Sequence, residues 1–405
     1  MRTSVIALFL ATGICLCSAQ AAEQTALDPS LPYQATRSNP VTYDIDFSAV
    51  VTPPYKGKVL KVWLPMPQTD FGQEVAEISL DSFPVVVKPK IGTEKTFGNT
   101  FACFEFHDVQ GAQIIRHRFK VKVWELHWKL DATKVVTIHD WPASFDRYRK
   151  GEAQAVVVDE RFDKLLKQIV PQQTNPLTDM SAVMDWVIRD FKYDHNDASL
   201  QASSLHALEK HHGHCSDYHG FCAALGRVLG YPTRVTYGIN PFPKNSPSHC
   251  KMETYLPPYG WVSFDVSETQ NLMTAISREP GLDDAGRKKL LGLATDRLLH
   301  GYRDNTWFLQ TKGTDYDLEP PASKKVAVVR TIYAEADGLA LPEPDPANKQ
   351  QNTYAWMTVH KFTPDRPVTY PFKDIKSLQE PGSSGSTTKA ESGQVGSRRR
   401  WFGKR

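Results

Sequence analysis

The sequence predicts an α+β protein in which a β-sandwich-like domain precedes a core where a helix packs on an antiparallel sheet. Three observations predict it. Apolar residues recur with period 2 from Pro40 to about Trp141. The pattern turns helical from Asp159. Between Gly213 and Asp265 a helix start, a helix and a hairpin pattern follow in turn, each carrying a reactive side chain.

At 405 residues the chain suits two or three domains, taking about 150 residues for each. Apolar residues at 40%, with aromatics at 11%, are enough for sizeable cores. The net charge of +3 belongs to the tail. From Gly382 onward six Lys and Arg face one acidic residue, so the rest carries −2 and gives no reason to expect nucleic acid as a partner.

Residues 1–21 read as a secretory signal. Arg2 is followed by an apolar run from Val5 to Leu16, and Ala19-Gln20-Ala21 fits a small-x-small cleavage site. An extracytoplasmic protein is expected, with 22–38 as a linker at its mature start. Cys15 and Cys17 leave with the signal, so Cys103, Cys215, Cys222 and Cys250 remain.

The β-rich domain is expected over 39–145. Val41, Tyr43, Ile45 and Phe47 alternate, as do Leu60, Val62 and Leu64, then Ala102, Phe104 and Phe106. Ile115 to Trp124 is a long extended run, and Val85-Val86-Val87 reads as a short buried one. The core, with a helical extension, is expected over 150–335. Asp159 caps a helix through Ile169, and a second begins at Thr178 or Asp179 with Met180, Val183 and Val187 on its apolar face. Ser203 to Lys210, Ser216 to Leu229 and Asp283 to Leu299 are further helices. Strand-like runs at Val326–Tyr333 and Tyr354–Phe362 follow, the second in a C-terminal β or irregular segment at 336–380. Residues 381–405 read as a disordered basic tail. Its Arg398-Arg399-Arg400 suits weak contact with an anionic surface, a solvated end being the plainer reading.

Cys215 opens the helix at 216–229, where free N–H groups and the positive dipole end favour a thiolate and can donate to an oxyanion. Gly213 leaves room for a substrate backbone. His249 begins a strand, Pro257-Pro258-Tyr259-Gly260 turns it, and Trp261 to Asp265 returns. A four-residue loop at 257–260 sets Asp265 opposite Met252, turned away from His249. A three-residue loop at 257–259 sets it opposite Lys251, on the His249 face. An orienting role for Asp265 therefore requires an odd loop or a bulge. Trp186 and Trp261 are candidate cleft walls, with core packing as the plainer alternative.

These residues resemble the transglutaminase-like superfamily, whose papain-like core uses Cys, His and Asp in that chain order. The matching stretches are Gly213-His214-Cys215-Ser216-Asp217, Leu229-Gly230-Tyr231-Pro232-Thr233-Arg234, His249-Cys250, and Gly260-Trp261-Val262 before Asp265. The resemblance implies Cys215 as nucleophile, His249 as general base and acid, and Asp265 as orienter. It implies acyl transfer through a thioester on a peptide or protein substrate, with no cofactor. Hydrolysis, as in a cysteine protease or amidase, is expected; an amine acceptor would make a transamidase. One departure is Lys251, where members often carry an aromatic residue.

Two rival readings differ in class. His206, His211, His212, His214, Cys215 and His219 crowd into a short stretch, and imidazole with thiolate suits zinc. A cluster flanking a helix start is more often solvated, so no metal is expected. A binding domain that keeps the fold without turnover is the other.

Overall fold

A computed structural model describes residues 27–53, 55–243, 247–344 and 355–378. The signal and tail readings at 1–21 and 381–405 lie outside the described residues. Within 22–38, the expected linker, Tyr33 is buried and its hydroxyl donates to Glu253 at 2.7 Å.

Alternation builds the first half. In β1 (Thr36–Val51), Val41, Tyr43, Ile45, Phe47, Ala49 and Val51 are buried, one every second residue. β2 (Val59–Met66), β3 (Gln73–Phe83), β4 (Lys90–Thr93), β5 (Thr100–His107) and β6 (Gln113–His127) follow. They form two antiparallel arrays, β3-β6-β1 and β2-β5-β4, which share a core that includes Tyr43, Leu60, Val62, Phe104, Phe119 and Val121. Val85–Val87 is not the buried strand its composition suggests, since Val86 is 83% exposed. Pro84 has no N–H for a ladder, and the Ser82 hydroxyl donates to Val85 O and accepts from Val87 N–H, closing a local turn.

The helices sit in the second half. α1 (Glu160–Ile169) is capped by Asp159. α2 (Pro176–Asp190) starts earlier than its apolar pattern suggests, because Asn175 accepts from the Leu177 and Thr178 N–H groups and Pro176 needs no partner at the first position. β7 (Lys192–Tyr193) leads to α3 (Ser204–Lys210), then to β8 (His212–Gly213), which pairs parallel with β7. α4 (Cys215–Val228) is buried on every side from Cys215 to Arg227. Helices α1, α2 and α3 pack around it.

β9 (Thr233–Ile239), β10 (Ser248–Tyr255) and β11 (Trp261–Phe264) form the sheet beneath α4. α5 (Val266–Arg278), which the sequence reading did not anticipate, leaves β11 directly with Asp265 as its N-cap. α6 (Asp284–Leu299) follows, capped by Asp283. The chain then returns to the three larger sheets. β12 (Tyr302–Arg303) joins β6, and β13 (Phe308–Lys312) joins β9. β14 (Tyr333–Ala336) joins β2, β15 (Leu339–Ala340) joins β14, and β16 (Trp356–Pro364) joins β1. The run from Val326 thus becomes strand only at Tyr333, with Val326 itself in an isolated bridge to Tyr316.

One position ties this return to the central sheet. Gly238 lies opposite His249 in the β9–β10 ladder, and a Cβ there would stand 2.1 Å from Phe308 O and 2.5 Å from the Trp307 ring. Trp307 in turn donates its Nε1–H to His249 O at 3.0 Å. Gly238→Ala should therefore lower stability by about 2 kcal/mol through overpacking, measured by urea unfolding, whereas Gly292→Ala, where a Cβ meets nothing within 4 Å, should not.

Candidate active site

The hairpin register decides which side chains meet. β10 pairs with β11 as Met252↔Phe264, Glu253↔Ser263, Thr254↔Val262 and Tyr255↔Trp261. Leu256 N–H donates to Gly260 O at 2.8 Å, so three residues, 257–259, form the tip. This is the odd register, and it carries Asp265 to a place opposite Lys251, on the face that His249 shares. His249 Nε2 lies 2.7 Å from Asp265 Oδ2.

Asp265 accepts from two directions. Its Oδ1 accepts from Glu268 N–H at 3.1 Å, capping α5, while Oδ2 receives His249 and, at 2.6 Å, Lys251 Nζ. Lys251 is fully buried and reaches Asp304 Oδ2 at 2.9 Å as well. Its ammonium also lies 5.3 Å from the Trp307 ring centre and 5.1 Å from that of Phe372. Burial opposes the charge on Asp265, but His249 and Lys251 outweigh it and hold the carboxyl well below its usual range. Burial likewise opposes a charge on His249, yet Asp265 and Cys215 lift it to about 9.

Cys215 is the first residue of α4, and the cap is His214, whose Nδ1 accepts from Ser216 N–H at 3.2 Å. Asp217 closes the capping box by accepting from His214 N–H at 3.1 Å. The Cys215 thiol lies within hydrogen-bonding reach of Cys250 and His249. A hydrogen bond from Cys250, then the charges of His214 and His249, hold it well below the ordinary thiol range against burial. The three residues picked from the sequence, Cys215, His249 and Asp265, therefore form one connected cluster, and each is less than a tenth exposed.

The other picks fall elsewhere. Gly213 makes room for Asp217: φ is +148° and a Cβ would stand 2.3 Å from Asp217 Oδ2. Trp186 packs with Phe191, His211 and Phe221, as expected for a core position on an amphipathic helix. Trp261 is buried under Arg234, at 4.0 Å, beside Tyr148 and Tyr255, with its Nε1–H given to Pro29 O. Neither tryptophan packs on the Cys215–His249–Asp265 cluster in these contacts.

The histidine cluster disperses into separate tasks. His211 terminates α3 in a left-handed conformation and pairs with Asp190 at 2.6 Å. His214 caps α4, and His219 is buried beneath the thiol. Asp197, His206 and His212 bring three donor atoms within 4.8 Å of one another at the surface. There the Asp197 carboxylate receives His212 at 2.9 Å and has Lys210 at 3.8 Å.

Sequence reasoning missed four contributors. Tyr193 precedes the site by a loop and a helix, yet the β7–β8 pairing sets it beside Gly213 and close to Cys215. Lys251 and Cys250 were visible as neighbours of His249, but only as a departure from a family pattern and as one of four remaining cysteines. Asp304 carries no local signal at all.

Residues 163–266 match the model of the transglutaminase-like superfamily. An uncharacterized protein of Haemophilus influenzae is 24% identical over 218 residues, which is 47% of this chain and 56% of that relative's length. The chain thus spans about half of that relative. A crystal structure from Cytophaga hutchinsonii, provisionally described as a cysteine protease, superposes with a TM-score of 0.57 at 14% identity, over 85% of this chain and 98% of that one. The periplasmic domain of TgpA from Pseudomonas aeruginosa gives a TM-score of 0.32 at 14% identity, over 62% of this chain and 92% of that domain. The fold is α+β and transglutaminase-like.

Lys251→Met should destabilise the protein by about 3–5 kcal/mol at neutral pH, since it strands buried carboxylates. Asp265 and Asp304 both titrate below their ordinary value in the folded state. The stabilisation from pairing is thus fully present above roughly pH 4 and is lost as the pH falls further. The deficit of the variant should accordingly be constant above about pH 4 and shrink below it, read from urea midpoints between roughly pH 2 and pH 7.5.

Proposed function

Because the chain carries a core of the transglutaminase-like superfamily, we propose that it is a cysteine-dependent acyl-transfer enzyme acting on amide bonds of a peptide or protein. Cys215 is the nucleophile, His249 the acid and base, and Asp265 the group that orients His249. What supports this reading above all is the connected set of partners. A thiol at a helix N-terminus adjoins an imidazole whose Nε2 meets a buried carboxylate at 2.7 Å, leaving Nδ1 for the thiol.

In this reading the Cys215 thiolate adds to the amide carbon and the C=O electron pair moves onto oxygen. The Cys215 N–H and the Tyr193 O–H, in contact with each other in the resting site, are the donors available to that oxyanion. His249 gives its Nδ1 proton to the amide nitrogen, the C–N bond breaks and the amine leaves. A thioester remains on Cys215. Water then adds to it while His249 takes a proton, the C–S bond breaks, and the acid departs from a restored thiolate and imidazolium. Water is the acceptor we assign, since it needs no binding site of its own. The signal pattern at 1–21 supports action outside the cytoplasm. Among the described residues no helix is long and apolar enough to cross a membrane.

Incubation with a peptide library and acid quenching should give a mass increment on the Cys215 peptide, absent in Cys215→Ala. An amide product formed with added glycine methyl ester in preference to free acid would make the enzyme a transamidase, and no increment under any condition would leave a binding domain. Tyr193→Phe should lower kcat about 100-fold with KM little changed, as for loss of one oxyanion donor. With His249 lifted to about 9, kcat/KM should fall on the alkaline side near that pH as the imidazolium loses its proton. In Asp265→Asn the lifting charge is gone, so the alkaline limb should move to lower pH.

A further inference from the structure

Beneath the thiol lies a second pair that the reaction above does not use. Cys250 follows His249 on β10 and points to the opposite face of the strand, toward α4. Its Sγ lies 3.4 Å from His219 Nδ1 and within hydrogen-bonding reach of Cys215. His219 is fully buried on α4, one turn after Cys215. Its other nitrogen, Nε2, accepts from Val266 N–H at 3.1 Å, in the first turn of the helix that Asp265 caps.

These contacts fix the protons. A backbone N–H can only donate, so His219 Nε2 must carry the lone pair. Burial pushes His219 down to about 4, so at neutral pH it is uncharged and its one N–H is on Nδ1. That N–H points at Cys250 Sγ, which accepts. Cys250 is itself pushed well above the ordinary thiol range by burial and by its bond with Cys215, so it keeps its S–H. The S–H has the Cys215 sulfur as its neighbour.

We propose that Cys250 is a supporting thiol for the nucleophile: its S–H donates to the Cys215 thiolate, and His219, anchored on the Val266 N–H, holds Cys250 in the donating orientation. The chain of donors runs from the N-terminus of α5 through His219 and Cys250 to the sulfur at the N-terminus of α4. His249 and Cys250 are adjacent on one strand, so β10 delivers the base on one face and the donor on the other. No proton is transferred along this chain during turnover. It stabilises the charged form of the nucleophile and sets its direction of attack. His219 acts through Cys250 and is a positioning residue.

This inference rests on Cys215 being the nucleophile, and the test separates the two. The rate at which iodoacetamide labels Cys215, read by mass on its own peptide against pH, gives the apparent pKa of the thiol. The titratable and charged groups facing the pair are His214, Asp217, His249, Lys251, Asp265, Glu268, Tyr193 and Tyr237, and none of them is altered in the variants. Cys250→Ala removes the donor and should raise the labelling pKa by about one unit or more, the scale of a hydrogen bond to a charged group. Cys250→Ser keeps a hydroxyl donor and should stay within roughly half a unit of the wild type. A packing role alone predicts the reverse ranking, with Ala tolerated and Ser the more disruptive because it buries a hydroxyl. Thermal midpoints recorded beside the labelling show whether a variant has lost its fold, and the Ser variant then carries the comparison. A wild-type Cys215 with an ordinary thiol pKa would remove the reading of the site itself. A low wild-type value that Cys250→Ala leaves unchanged would remove only the role of Cys250.

Discussion

The carboxylate of Asp265 is the group on which the rest of the site depends. Its two oxygens receive a helix N-terminus, an imidazole and a buried ammonium. Two elements place these partners: α5 the Glu268 N–H, and β10 both His249 and Lys251. Burying any one of these charges alone would cost several kcal/mol. They persist because Lys251 and His249 face Asp265 and Asp304, so that each buried charge has an opposite one beside it. Lys251 puts a charge beside His249 and Asp265, and Asp304 helps to balance it.

Register carries this arrangement from chemistry back to the chain. Side chains on a strand alternate with period 2, so one residue more or less in the loop after Leu256 would turn Asp265 away from His249 and toward α4. The three-residue tip at 257–259 sets the parity, and the strand beyond cannot slip without burying Ser263 and Asp265 among the wrong neighbours. The second sheet edge is held as firmly. Gly238 lets Trp307 close over the backbone of His249, and Trp307 spends its N–H on the His249 carbonyl. The imidazole is thus steered by a side chain at one end and by its own main chain at the other.

The return of the chain after α6 explains why the β-sandwich and the helix-on-sheet core are not independent. β12, β14 and β16 complete the two sandwich sheets, while β13 completes the central one. Asp304 and Trp307 ride on the segment between β12 and β13, so the residues that neutralise Lys251 and pin His249 are placed only when both sheets are formed. Phe308 and Ile239 join the sandwich core from the central sheet, which couples the two packings directly.

Much of this was legible in the sequence, because local rules decide it. Period-2 alternation fixed β1, β2, β5 and β6. Side-chain caps at Asp159, Ser203 and Asp283 marked helix starts, and Pro257-Pro258-Tyr259-Gly260 marked the turn. The helix start at Cys215 and the hairpin carrying His249 and Asp265 follow from the same local chemistry. What only the tertiary structure decided is long-range. The register of β10 against β11 chose between two parities that the loop composition allowed equally. The pairing of β7 with β8 brought Tyr193 to the Cys215 N–H, and the return through Asp304 and Trp307 closed the charge balance around Lys251. The sequence by itself determined which elements form and which reactive groups they carry, since propensity, capping and turn chemistry act over a few residues. Which of those groups share a proton or a charge depends on contacts between residues tens to hundreds of positions apart, which no local pattern encodes.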